Sequence, residues 1–164
     1  MVQRRTFLKA GLASGALLVA GGAASWLIGR DARADRREVL GAMIPAVLDG
    51  SLPAAPAQRI DAVAQALSGV ETAIAALSPA AQDELAQLFA LLAIPPTRLA
   101  LAGLARPWRD ATPGEVASVL QAWRTHRLEL LRSAYQALHD LVAGSWYADA
   151  AQWPAIGYGG PPRL

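Results

Sequence analysis

The chain holds two imidazoles, His126 and His139, thirteen residues apart on one helical stretch. At about 100° per residue that spacing separates them by well over a right angle around the axis, so one metal ion cannot readily take both. No Glu-x-x-His accompanies either, which excludes the di-iron bundle pattern. The carboxylates that could pair for acid and base work are Asp49, Asp61, Asp83, Glu84, Glu115 and Glu129. Each falls at a cap or on a polar face, where water solvates it. Ser78, Ser118, Ser133 and Ser145 lack the residues of a nucleophile elbow, and Gly157-Tyr158-Gly159-Gly160 follows no strand, so it is no phosphate-cradling loop. The absence of cysteine excludes a disulfide framework, thiolate zinc or iron–sulfur sites, c-type haem attachment and an acylated lipoprotein terminus. With no positioned nucleophile, base, metal or cofactor loop, the sequence reads as a chain that is not an enzyme by itself, with no catalytic, metal or cofactor-binding residues of its own.

Charge narrows the classes further. The 164 residues carry a formal charge of +2, 54% hydrophobic residues and 17% charged ones, enough apolar content for one folded domain and too much for a disordered chain. Residues 1–34 hold Arg4, Arg5, Lys9, Arg30 and Arg33 against Asp31. The remainder has ten Arg against twelve acids, a net of −2, without the clustered positive charge that a phosphate backbone requires. Nucleic acid is therefore not an expected partner.

The basic N-terminus has a specific pattern. Gln3-Arg4-Arg5-Thr6-Phe7-Leu8-Lys9 precedes twenty uncharged residues, 10–29, that are diluted by Gly and Ala. This resembles a twin-arginine translocation (Tat) signal, with Arg4, Arg5, Phe7, Leu8 and Lys9 at the motif positions. The resemblance implies recognition by the Tat translocase and a folded body delivered to the periplasm. Ala32-Arg33-Ala34 offers a cleavage site before Asp35. Twenty residues at 1.5 Å rise also match a hydrocarbon core of about 30 Å, so residues 10–29 would contact the membrane, and anchor the protein in it, if the leader stays.

Positioning falls to helices. Val39, Leu40, Met43, Ile44, Val47 and Leu48 recur at helical spacing, with Pro45 expected to kink or split that helix. Ile60, Val63, Leu67, Val70, Ile74 and Leu77 mark a second. Ser78-Pro79 caps a third, which Pro95-Pro96 ends; a short helix or turn follows over 97–105. Thr112-Pro113-Gly114-Glu115 is a capping box opening what the pattern predicts as one long helix to about Val142. Its apolar stripe includes Trp123 and, unexpectedly, Arg127, which either snorkels from the core or meets a buried partner. No segment alternates as a strand does. The predicted fold is all-α, an irregular antiparallel bundle of four or five helices over 35–144 after a leader over 1–34, with an extended C-terminal tail rich in aromatics, Pro and Gly over 145–164.

That tail holds Trp146, Tyr147, Trp153, Gly157, Tyr158, Gly160 and Pro161. Rings in an irregular arm suit recognition of a partner, and equally suit an arm strapped over its own core. The combination of a Tat leader, a helical body of this length, Trp146-Tyr147 followed by Asp149, then Trp153, Ile156-Gly157-Tyr158 and Gly160-Pro161-Pro162, resembles the gluconate 2-dehydrogenase subunit 3 family. These are the small subunits of periplasmic, membrane-bound flavin dehydrogenases. Gly159 stands where that family usually has Pro. The resemblance implies a non-catalytic oxidoreductase small subunit or export escort. Its implied partner is a large flavin dehydrogenase subunit of the glucose-methanol-choline type, which would hold the FAD, in many complexes beside a cytochrome c. The alternative from another class is a free-standing helical periplasmic module that binds a small apolar ligand.

Replacing Arg4 and Arg5 together by Lys is expected to abolish export, because Lys offers a point charge where the receptor reads two planar guanidinium forks. Fractionation of cells carrying the double Lys variant checks this: normal arrival in the periplasm would point to a Sec leader, which needs only positive charge.

Overall fold

The computed structural model of the protein describes residues 31–160; Arg4, Arg5, Phe7, Leu8 and Lys9, the apolar stretch 10–29 and Pro161 lie outside the described residues. The described residues form six α-helices: α1 (Ala32–Val47), α2 (Pro56–Ala75), α3 (Pro79–Ala93), α4 (Pro95–Ala102), α5 (Pro113–Arg124) and α6 (Glu129–Tyr147). Two short 3₁₀ helices, Trp108–Asp110 and Ala150–Ile156, complete it, and no strand occurs among the described residues. The fold is all-α.

α1 is the axis of the packing. It touches α2, α3, α5, α6 and the Trp108–Asp110 turn, because Val39, Leu40, Met43 and Ile44 present successive apolar turns that are fully buried. It starts inside the sequence-predicted leader, with the Asp31 carboxylate accepting from the Arg33 backbone N–H at 2.9 Å. Pro45 neither splits nor ends it; the missing donor falls in the last turn, where one lost bond is tolerated. Arg33 and Arg37 reach Glu71 of α2 at 3.9 and 3.5 Å, two exposed guanidiniums on a largely buried carboxylate that ties α1 to α2.

Both predicted caps form. Ser78 Oγ accepts from the Ala81 N–H at 3.4 Å, with Pro79 opening α3. The Thr112 backbone N–H and hydroxyl each donate to Glu115 Oε2 at 2.8 Å, and those two bonds, aided by Arg106, hold the Glu115 carboxyl below the usual range.

Two boundaries differ from the sequence expectation, which accounts for six helices in place of four or five. Pro95-Pro96 ends α3 and also begins α4, since Pro at the first helical position sacrifices no bond. The expected long helix from Thr112 is two helices broken at 125–128. No Gly or Pro causes the break. His126 Nδ1 accepts from the Leu128 N–H at 3.0 Å, and Arg132 Nη1 donates to the carbonyls of His126 and Arg127 at 2.6 and 3.1 Å, so side chains replace the helical bonds. Arg127 consequently leaves the apolar stripe and stands exposed in the corner. α6 then buries Leu131, Ala134, Leu138, Val142 and Trp146, carrying the helix past the predicted end at Val142.

The last carbonyls of α3, one from the last turn of α4 and two from the segment after it meet side-chain donors. Arg98, 4% exposed, donates through Nε to Leu104 O at 3.3 Å, Nη1 to Ala93 O at 3.1 Å and Nη2 to Ala105 O at 3.2 Å. The Trp108 indole donates to Leu92 O at 2.8 Å and the Trp123 indole to Leu101 O at 2.7 Å. Both tryptophans are 1% exposed. No single described helix is long and apolar enough to cross a membrane; α3 and α4 reach that length only jointly, across a bend of 96°.

Arg98→Met, which keeps the bulk and removes the donors, is expected to cost about 3 kcal/mol by leaving buried carbonyls unmet. Arg98→Lys should recover only a minor part, because one ammonium cannot span the fork. Urea unfolding of the three proteins checks the order, and a Met variant as stable as the parent would remove Arg98 from this role.

Candidate functional site

The chemistry-bearing residues do not converge. His126 is occupied as a cap, while His139 lies 3.6 Å from Asp140 and against the Tyr135 ring at 5.6 Å, on the open side of α6. Asp49, Asp61, Asp83 and Glu129 are exposed, and Glu115 is committed to its capping box. Among the described residues no group of three or more His, Asp or Glu is placed to hold a metal ion. Ser118 and Ser145 donate to carbonyls of their own helices.

The aromatic tail is more ordered than an irregular arm. Its first two rings belong to α6, which runs through Gly144 to Tyr147. Trp146 is 4% exposed and forms part of the core, with its indole nitrogen lacking an acceptor among the described residues. Tyr147 packs partly on the core and shares a 2.8 Å hydrogen bond between its hydroxyl and that of Ser51 in the α1–α2 loop. Asp149 then redirects the chain: Oδ1 accepts from the Ala151 N–H at 2.9 Å, capping the 3₁₀ helix, and Oδ2 accepts from Gln65 Nε2 of α2 at 3.1 Å.

Beyond that cap the remaining predicted residues come together. The Trp153 indole donates to Tyr147 O at 2.8 Å, and the Tyr158 N–H donates to Trp153 O at 3.0 Å. Gly157 takes φ +72°, reversing the chain so that the Tyr158 ring meets Trp153 edge to face at 5.2 Å. Gly160, at φ +95°, lies so close that a Cβ there would sit 3.4 Å from the Trp153 ring. The product is a knob of Trp153, Ile156 and Tyr158 on the end of α6, outside the core, with Ile156 51% and Tyr158 47% exposed. Ile156 entered the sequence reading only as part of the Ile156-Gly157-Tyr158 motif; the structure adds it to the knob as an exposed apolar residue.

A second feature was not legible at all. α3 and α6 leave an apolar slot of about 250 Å³ between them, with Glu84 and Ser133 as the polar residues of its lining. No protein-family model, curated protein or solved structure matches this chain.

Gly157→Ala is expected to strain the reversal by about 1 kcal/mol. Amide hydrogen exchange at Tyr158 should then quicken roughly fivefold while core amides keep their rates. Unchanged exchange at Tyr158 would show that the knob does not depend on this turn.

Proposed function

We propose that this chain is a non-catalytic, Tat-exported small subunit, or a maturation and export escort, of a periplasmic FAD-dependent dehydrogenase of the glucose-methanol-choline type. The single observation that carries the reading is the knob. A strap over the bundle would place its rings among the core residues, whereas Trp153, Ile156 and Tyr158 lie outside the core and two of them are about half exposed. Their mutual bonds pre-arrange the rings, so docking would freeze few further torsions. In this reading Trp153 and Tyr158 anchor the large flavin subunit, Gly157, Gly160 and Pro161 shape the arm that presents them, and Tyr147 and Trp146 fix its root. FAD belongs to that partner, which would pass electrons on to a cytochrome c where one is present, and the leader carries the assembly to the Tat translocase.

Trp153→Ala with Tyr158→Ala tests it. Interface anchors typically cost about 2 kcal/mol or more on truncation, roughly thirtyfold in affinity. The expected result is loss of the co-purifying flavoprotein, recognised by its flavin absorbance, with the melting temperature of the chain unchanged. A fall of several degrees with flavoprotein still bound would make the tail structural. The slot between α3 and α6 favours a second reading, a free-standing periplasmic module that binds a small apolar ligand, and recovery of the parent chain alone from export-competent cells would favour it.

A further inference from the structure

We infer that the first turn of α1 withholds the Ala32-Arg33-Ala34 site from cleavage, so that the leader stays on the folded chain and fixes it to the membrane as an N-terminal anchor. The inference rests on the export reading proposed above and decides between the two fates that the sequence leaves open. The bond to be cut joins Ala34 to Asp35, and both residues lie inside α1, which starts at Ala32. The Asp35 N–H donates to Asp31 O at 2.9 Å, a helical bond that spans the site, and the Arg33 N–H donates to the Asp31 carboxylate at 2.9 Å. Asp35 is 8% exposed. A peptidase cuts chain that has opened, at a rate that follows the population of the open form. A Tat cargo has already folded when a periplasmic peptidase first meets it, so the site is presented as helix.

A first turn frays easily when nothing holds it, but this one is held on both sides of the scissile bond. Arg33 before the bond and Arg37 after it both reach Glu71 of α2, at 3.9 and 3.5 Å, and the Glu71 side chain is only 16% exposed. Opening the chain through Asp35 has to lift that residue from its buried position and part Arg33 from Glu71. One turn further on Val39 and Leu40 are fully buried, so the opening cannot spread without exposing core. Length then gives the consequence of retention. Residues 10–29 are long enough for a hydrocarbon core of about 30 Å, and only Arg30 and Asp31 separate them from α1, a tether of about 7 Å at full extension. The start of α1 therefore rests at the headgroups. The 16 residues of α1 span about 24 Å, and Ser51, just past its far end, bonds Tyr147 at the root of the knob. Anchor and knob thus lie toward opposite ends of α1 and do not compete for one surface.

The experiment follows the full-length chain in export-competent cells beside two insertions of one short Asn/Gln linker. Between Ala34 and Asp35 the linker draws the site out of α1; between Arg30 and Asp31 it lengthens the tether and leaves the first turn intact. A gel separates chains that keep the leader from those that have lost it, and the band that added protease removes from spheroplasts is the exported one. The exported parent is expected to keep its leader and to stay with the membranes through alkaline carbonate washing, as is the chain lengthened before Asp31. The chain lengthened after Ala34 should lose the leader and pass into the soluble periplasmic fraction. An exported parent without its leader would overturn the anchor, and the parent decides this even where an insertion folds poorly. An exported chain that stays uncut with the linker after Ala34, or is cut with the linker before Asp31, would show that α1 does not guard the site and would overturn the inference equally. No protease-sensitive band at all would instead overturn the export reading, and the inference with it.

Discussion

Buried helix ends must find donors, and in this fold that demand concentrates at the α3–α4 bend. Five carbonyls, of Leu92 and Ala93 at the end of α3, Leu101 in the last turn of α4 and Leu104 and Ala105 just beyond it, accept hydrogen bonds from Arg98, Trp108 and Trp123. A helix C-terminus carries partial negative charge, so the Arg98 guanidinium, set between the end of α3 and the carbonyls of the segment after α4, is a cation whose counter-charge is backbone. That accounts for a buried arginine with no carboxylate against it among the described residues. The two tryptophans serve twice, as the largest fully buried side chains and as the donors that hold α3 to the turn at Trp108 and α4 to α5. The rest follows: with α3 and α4 fixed in a bend, α1 packs along α3, and α6 meets α3 only across a gap.

How much of this the sequence carries depends on whether a feature is made locally. The caps at Ser78 and Thr112 need three or four consecutive residues, so their types announce them, and the apolar periodicity of α1 and α2 is equally local. The break between α5 and α6 is not of that kind. Its stripe continues in register from Trp123 through Leu131, and what ends α5 is a set of bonds from His126 and Arg132 to nearby backbone, chemistry that ordinary surface residues perform without any distinguishing spacing. Arg98 escapes for a related reason: a charged residue three places after Pro95 reads as solvent-facing, and only the bend places its fork among carbonyls.

The candidate sites divide along the same line. Trp153, Gly157, Tyr158 and Gly160 are near neighbours in sequence, and a short turn with glycines at positive φ brings their rings and backbone together, so their association could be read from order alone. Trp146 shares their composition but not their setting, since helical continuation from Leu131 rotates it into the core. The slot at Glu84 joins residues some fifty positions apart in the chain and depends on a gap between helices that neither sequence segment encodes by itself.

The arrangement of tryptophans also makes the molecule report on itself. Trp108, Trp123 and Trp146 are between 1% and 4% exposed, whereas Trp153 is half-buried at the rim of the tail. A collisional quencher such as iodide therefore reaches one of these four indoles in preference to the other three. With Trp26, which lies outside the described residues, replaced by Phe, the quenchable fraction of the emission becomes an optical readout of that single ring, able to follow whatever covers the end of α6 in real time and without a label.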